Sequence, residues 1–137
     1  MEESNVELVK DVYEAFARGD LAAALTAMAD GIEWHEADGG PYAGVHRGPD
    51  QIAAKVLGPV AADVPDFAAT PEEVISSGRT VAVIGRYTGT GRATGMKLDL
   101  PVVHIWDVHE GKIARFRQFV DGAAFQEVVA PGDRATA

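Results

Sequence analysis

The chain has 137 residues, enough for one domain with a real core and too few for a second. Its net charge of -9, with no basic cluster to offset it, disfavours nucleic acids and anionic membrane surfaces as partners. The lack of cysteine excludes disulfides, a thiol nucleophile and cysteine-bound zinc or iron–sulfur centres.

The opening MEESNVELVK is acidic and has no basic segment leading into an apolar one, so no signal peptide is expected. No apolar run approaches the roughly 18 residues of a spanning helix, and the expected location is cytoplasmic. Ser4 and Glu7 have the spacing of a capping box. Val6, Val9, Tyr13 and Phe16 then recur on one helical face. Gly19 is placed to end that helix, and Asp20 to cap a second, Ala-rich one spanning residues 21 to 29. IEWHE, residues 32 to 36, alternates as a strand does. RGPDQIAAKVLGPV reads as a third helix, with Pro49 near its start and Gly58-Pro59 closing it.

Beyond residue 66 the period changes to two. RTVAVIGRYTGTG, MKLDLPVVHIWDV and KIARFRQFV read as successive antiparallel strands, joined by the bends GRATG and HEGK. Asp121 caps a last helix through AAFQEVV, and residues 130 to 137 form a mobile tail. Helices followed by a run of strands predict one α+β domain over residues 1–137, its helices on one face of a curved antiparallel sheet.

Strand parity singles out three residues. In the strand from 96 to 108 the even positions are Met96, Leu98, Leu100, Val102, His104, Trp106 and Val108, and only His104 is polar. Gln118 interrupts the apolar set Phe116 and Val120, and Glu36 shares a face with Ile32 and Trp34. Such groups need partners, because burying one unpaired costs roughly 2–7 kcal/mol. If the three converge, they bring a carboxylate, an imidazole and an amide into one pocket, the equipment for moving a proton. A satisfied internal pair with no function is the competing reading. His35 and Asp38 are assigned to the outer face or the rim.

Trp34, Trp106, Phe116, Tyr87 and Phe16 are candidates for lining the pocket, with Tyr42 at its mouth. Arg115, Arg117, Ile113 and Phe119, with Val103 and Ile105 on the preceding strand, fall on the opposite face. That mixture of aliphatics and charges suggests a dimer surface. Position 39 is Gly, which breaks an HExxH pattern, and Thr94 breaks GxGxxG in GTGRATG, so no metal and no cofactor are expected.

VYEAFARGDLAAALTAMADGIEWHE, YAGVHRGPDQI and VVHIWDVHEGKIARFRQFVD together resemble the SnoaL-like polyketide cyclases and ketosteroid isomerase-related proteins of the NTF2-like superfamily. The resemblance implies a cone-shaped α+β fold with a deep pocket, and a homodimer. It places Glu36 where the steroid isomerases have a catalytic Asp base. With one residue fewer in the turn VHEG, it places His104 where those enzymes have a protonated Asp, and His104 also resembles a pocket His of the cyclases. Gln118 stands where the cyclases and limonene epoxide hydrolase have a carboxylate and cannot serve as a base. Tyr13 lies one helical position from the isomerases' oxyanion Tyr and is expected to miss the pocket.

The expected function is cofactor-free proton transfer next to a carbonyl in a small apolar molecule, as an isomerase, cyclase or dehydratase. Glu36 would be the base, His104 the acid or oxyanion donor, and Gln118 the orienting group. The alternative is a non-catalytic small-molecule-binding or dimerisation module.

Overall fold

A computed structural model of the protein describes residues 2–130; the expected mobile tail, beyond Ala130, lies outside the described residues. Helix α1 spans Glu2–Ala17 and buries Val9, Val12, Tyr13 and Ala15. Ser4 therefore lies inside the first turn rather than at the cap, and Glu2 and Glu3 complement the helix dipole instead. Gly19 has the left-handed φ of a helix stop. The Asp20 carboxylate then accepts the Ala23 N–H at 3.1 Å and caps α2, Leu21–Thr26.

The second helix stops before residue 29 because the sheet claims Ala27 and Met28. The Ala27 carbonyl accepts the Ile113 N–H at 2.9 Å, and Met28 opens β1, Met28–Glu36, paired with Ile113. After the edge strand β2, Gly44–Arg47, the third helix does not end at Gly58-Pro59. It runs as α3, Gly48–Ile52, a π-helical turn, Ala53–Leu57, and α4, Gly58–Asp63. The wider turn bonds the Gly58 N–H to the Ala53 carbonyl, so Pro59 begins a new first turn where its missing N–H costs nothing.

Strands β3, Ala68–Ser77, β4, Thr80–Thr90, β5, Lys97–His109, and β6, Lys112–Val120, complete a curved, unclosed six-stranded sheet, and α5, Gly122–Val129, packs at its end. The strand order is β2-β1-β6-β5-β4-β3. The sheet is not wholly antiparallel: β1 lies parallel to β6, with Trp34 opposite Phe116. No tight turn joins those two strands, so nothing in the connection imposes an antiparallel pair. β3 holds Pro71, which an edge strand tolerates.

The β5–β6 hairpin turns on Glu110 and Gly111, both at positive φ, as a two-residue loop matched to strand twist requires. A bulge lies beside it: Asp107 pairs with Arg115, but Val108 pairs with Ile113. The extra residue reverses parity, so Ile113, expected outside, is fully buried. Met96 precedes β5 and is exposed; the apolar face begins at Leu98. Inside lie Trp106, Phe116, Phe125 and Ile32, each fully buried and worth about 1.5–3 kcal/mol by removal from water. No helix among the described residues is long and apolar enough to cross a membrane.

Candidate functional site

Glu36, His104 and Gln118 all face the interior, at 8%, 5% and 7% exposure, and are the buried polar side chains of the core. Glu36 closes β1, whose alternation turns Ile32, Trp34 and Glu36 inward. The Trp34 indole, two residues back on the same face, donates its Nε1–H to Glu36 Oε2 at 2.7 Å. Burial raises the Glu36 carboxyl from 4.5 to about 7, while hydrogen bonding from Trp34 and Gln118 resists the rise. The group thus stands near half-ionisation at neutral pH.

His104 on β5 lies directly across from Gln118 on β6. Its two ring nitrogens face two tyrosines: Tyr13 Oη is 2.6 Å from Nδ1, and Tyr87 Oη is 2.6 Å from Nε2. Each phenol oxygen also accepts an N–H, from Trp106 Nε1 at 3.0 Å for Tyr13 and from Gln118 Nε2 at 2.8 Å for Tyr87. The Ala37 backbone N–H, beside Glu36, donates to Gln118 Oε1 at 3.0 Å and so fixes which way the amide points. Desolvation lowers the His104 imidazole from 6.5 to about 3 and pushes both phenols up, so imidazole and phenols alike are neutral at pH 7.

Tyr13 therefore does not miss the cluster. The Val9–Tyr13–Phe16 stripe had marked it as facing inward; what the stripe lacks is the identity of the group above it, 91 positions away. Phe16 is half-buried against the core, and none of the described ring contacts joins it to the cluster. The remaining aromatic candidates do assemble. Trp34 stacks on Phe116 at 3.8 Å between centroids, and Phe116 meets both His104 and Trp106. Two contributors carry no signal in the sequence. Phe67 and Phe125 close on Tyr87 at 4.9 and 5.6 Å, and Phe125 also meets Tyr42. Asp63 accepts the Tyr42 hydroxyl at 2.8 Å, tying the glycine-containing loop after β1 to α4.

The interior is filled by these side chains. A narrow crevice, too tight for a water, runs between Tyr13, Val83, Val102 and His104 and the β3 residues Ala69, Thr70 and Pro71. His35 points outward and contacts Glu33 at 3.3 Å, and Asp38 is exposed. Among the described residues, no three of His, Asp and Glu gather as a metal ion would need. The arrangement offers a carboxyl poised to take a proton and neutral donors to steady an oxygen.

The SnoaL-like domain family matches residues 9–116. An uncharacterised protein of Mycobacterium tuberculosis is 30% identical over 128 residues, covering 92% of this chain and 95% of that one. The crystal structure of an NTF2-like protein from Burkholderia thailandensis superposes with a TM-score of 0.87 at 35% identity, covering 93% of this chain and 98% of that one. TerC, co-crystallised with polyporic acid, gives a TM-score of 0.83 at 27% identity, with 92% and 98% of the two chains covered.

Proposed function

The chain belongs to the SnoaL-like domain family, within the NTF2-like superfamily, and from that premise we propose that it binds a small, largely apolar carbonyl compound and moves a proton beside the carbonyl, as an isomerase, cyclase or dehydratase. The observation that carries this reading is Glu36: a carboxyl buried at the end of β1, held by Trp34 and titrating near neutrality, where a general base works best. One oxygen serves Trp34, and the other accepts the proton. Gln118, locked by Ala37, orients the substrate. His104, neutral and engaged at both nitrogens, positions the two phenols rather than delivering a proton itself. The structural similarity to TerC, which was crystallised with polyporic acid, supports a small-molecule occupant for the same interior.

The test is hydrogen–deuterium exchange at the carbon next to the carbonyl, followed by NMR across a panel of aromatic ketones. Glu36→Gln is expected to slow any catalysed exchange by roughly a hundredfold or more. A variant that keeps the rate removes Glu36 as the base.

A second reading, a satisfied internal polar cluster with no function, is favoured by the filled interior, whose crevice beside Tyr13 and His104 admits no water. It predicts that no member of the ketone panel shifts the melting temperature. In either reading we assign the outer sheet face to a second copy of the chain, because Val45, Ile75 and Phe119 stand exposed there beside the ion pairs Arg86–Asp99 and Arg115–Asp107.

A further inference from the structure

Tyr42 carries a large buried side chain on a loop that is loosely built into the rest of the protein. Residues 37–43 make their backbone hydrogen bonds with one another, Gly40 to Ala37 and Ala43 to Gly40. Two bonds tie Tyr42 down: its carbonyl accepts from His46 Nε2 at 2.8 Å, and its hydroxyl donates to Asp63 at 2.8 Å. Only the second holds the side chain. Among the described ring contacts, the Tyr42 ring meets Phe125 alone, edge to face at 5.9 Å, whereas Tyr87 meets Phe67, His104 and Phe125.

The walls around the Tyr42 ring do not depend on it. Phe125 is also packed on Tyr87 and stacked with Phe67 at 6.3 Å between centroids. Asp63 is fixed through its backbone, because its carbonyl accepts the Arg92 N–H at 2.8 Å. Its side chain is half-buried and so open to a competitor for the phenol. If the phenol swung out, an aromatic wall and a carboxylate acceptor would remain in place, and a preformed site spares a ligand the cost of ordering it. Burial, followed by the neighbouring Asp63 and Glu36 carboxylates, pushes the Tyr42 phenol up, so the group held here is a neutral donor. An anion would meet the same two acids.

We propose that Tyr42 is a built-in occupant of an aryl subsite, displaced when a neutral hydroxyaryl group lies against Phe125 and donates its hydroxyl to Asp63. The interior is filled because the chain supplies its own stand-in, and the ligand takes the space that the Tyr42 side chain gives up. This rests on the small-molecule reading of the interior, to which it adds a hydroxyaryl end for the bound molecule, but not on Glu36 acting as the base.

The probe is 2-naphthol, with 2-methoxynaphthalene, which lacks the donor, and 2-naphthoate, an anion, as controls. The full chain is labelled at tyrosine Cζ with 13C; it has three tyrosines, and the Tyr42 signal is the one lost in Tyr42→Phe. Adding 2-naphthol is expected to move that signal to the position of a solvent-exposed tyrosine and to leave Tyr13 and Tyr87 in place. Tyr42→Ala, confirmed folded by circular dichroism, should bind 2-naphthol about tenfold more tightly than the wild type, the weight of one hydrogen bond and one ring contact. Tyr42→Phe, which loses the bond alone, should fall between them. Both controls should bind about tenfold more weakly than 2-naphthol, and Asp63→Ala should erase the preference over 2-methoxynaphthalene. A Tyr42 signal unmoved by 2-naphthol, equal affinity in wild type and Tyr42→Ala, or binding by neither overturns the proposal. Should Tyr42→Ala not fold, the wild-type signal and the affinity of Tyr42→Phe decide. Failure of Glu36 as base would appear as retained exchange in Glu36→Gln and would leave the displacement of Tyr42 unchanged.

Discussion

Glu36→Gln reports on the site without any substrate, through stability alone. Burial moves the carboxyl from 4.5 to about 7. Between those values the folded protein holds a proton that the unfolded chain releases, so stability falls by about 1.4 kcal/mol per pH unit as pH rises. The whole interval amounts to about 3 kcal/mol, lost completely above the folded pKa. His104 works in the opposite direction. Its imidazole falls from 6.5 to about 3 on burial, so its contribution is intact above pH 6.5 and lost as pH drops toward the folded value. From pH 4.5 to 6.5 the two contributions cancel, one proton against one, and the wild type is nearly flat with respect to this pair. Glutamine keeps an oxygen for the Trp34 indole and has no proton to exchange. The variant should therefore show the His104 slope by itself, and its advantage over the wild type should grow by about 3 kcal/mol between pH 4 and pH 8. Urea titrations across that range, followed by the emission of Trp34 and Trp106, measure the difference directly, and groups common to both proteins cancel in it. Parallel curves, differing by a constant within about 0.5 kcal/mol, would refute a buried carboxyl with a raised pKa.

Other substitutions test the scaffold. Gly111→Ala meets no atom within 4 Å but must hold a φ of +78°, so it is expected to cost about 1 kcal/mol in a urea titration, from backbone conformation alone. Ile113→Asp places a charge at a fully buried position and should leave the chain unfolded by circular dichroism. Phe119→Asp, at 55% exposure on the same strand, should leave secondary structure intact and shift the mass in sedimentation toward the monomer. Equal damage from the two would contradict the bulge that separates them. Tyr42→Phe removes the bond to Asp63 and is expected to cost about 1 kcal/mol, with faster amide exchange over residues 37–43. Unchanged exchange there would show that this bond does not restrain the loop.

Much of the inner face was legible because parity is a local property. Ile32, Trp34 and Glu36 turn inward for the same stereochemical reason in any strand, and so do Val102, His104 and Trp106. Parity failed at Ile113, where one extra residue opposite Asp107–Val108 reversed it; no residue type in KIARF announces that bulge. Helix ends were also misplaced where tertiary pairing intervened, as when β6 took Ala27 and Met28 from α2. Phe67 and Asp63 went unnoticed because each lies in or beside a connection with no periodicity to mark it.

From the order of residues alone come the α+β layout, the faces of the strands, and the three polar side chains set among apolar ones. Those are consequences of backbone geometry repeated every two or 3.6 residues, which needs no knowledge of distant neighbours. Folding in three dimensions decided the rest: that β1 runs alongside β6, that Tyr13 reaches His104, and that a histidine able to carry charge is instead held neutral between two phenols. Such outcomes depend on which groups meet after the chain has closed over water, and so on desolvation and long-range contact rather than on any local pattern.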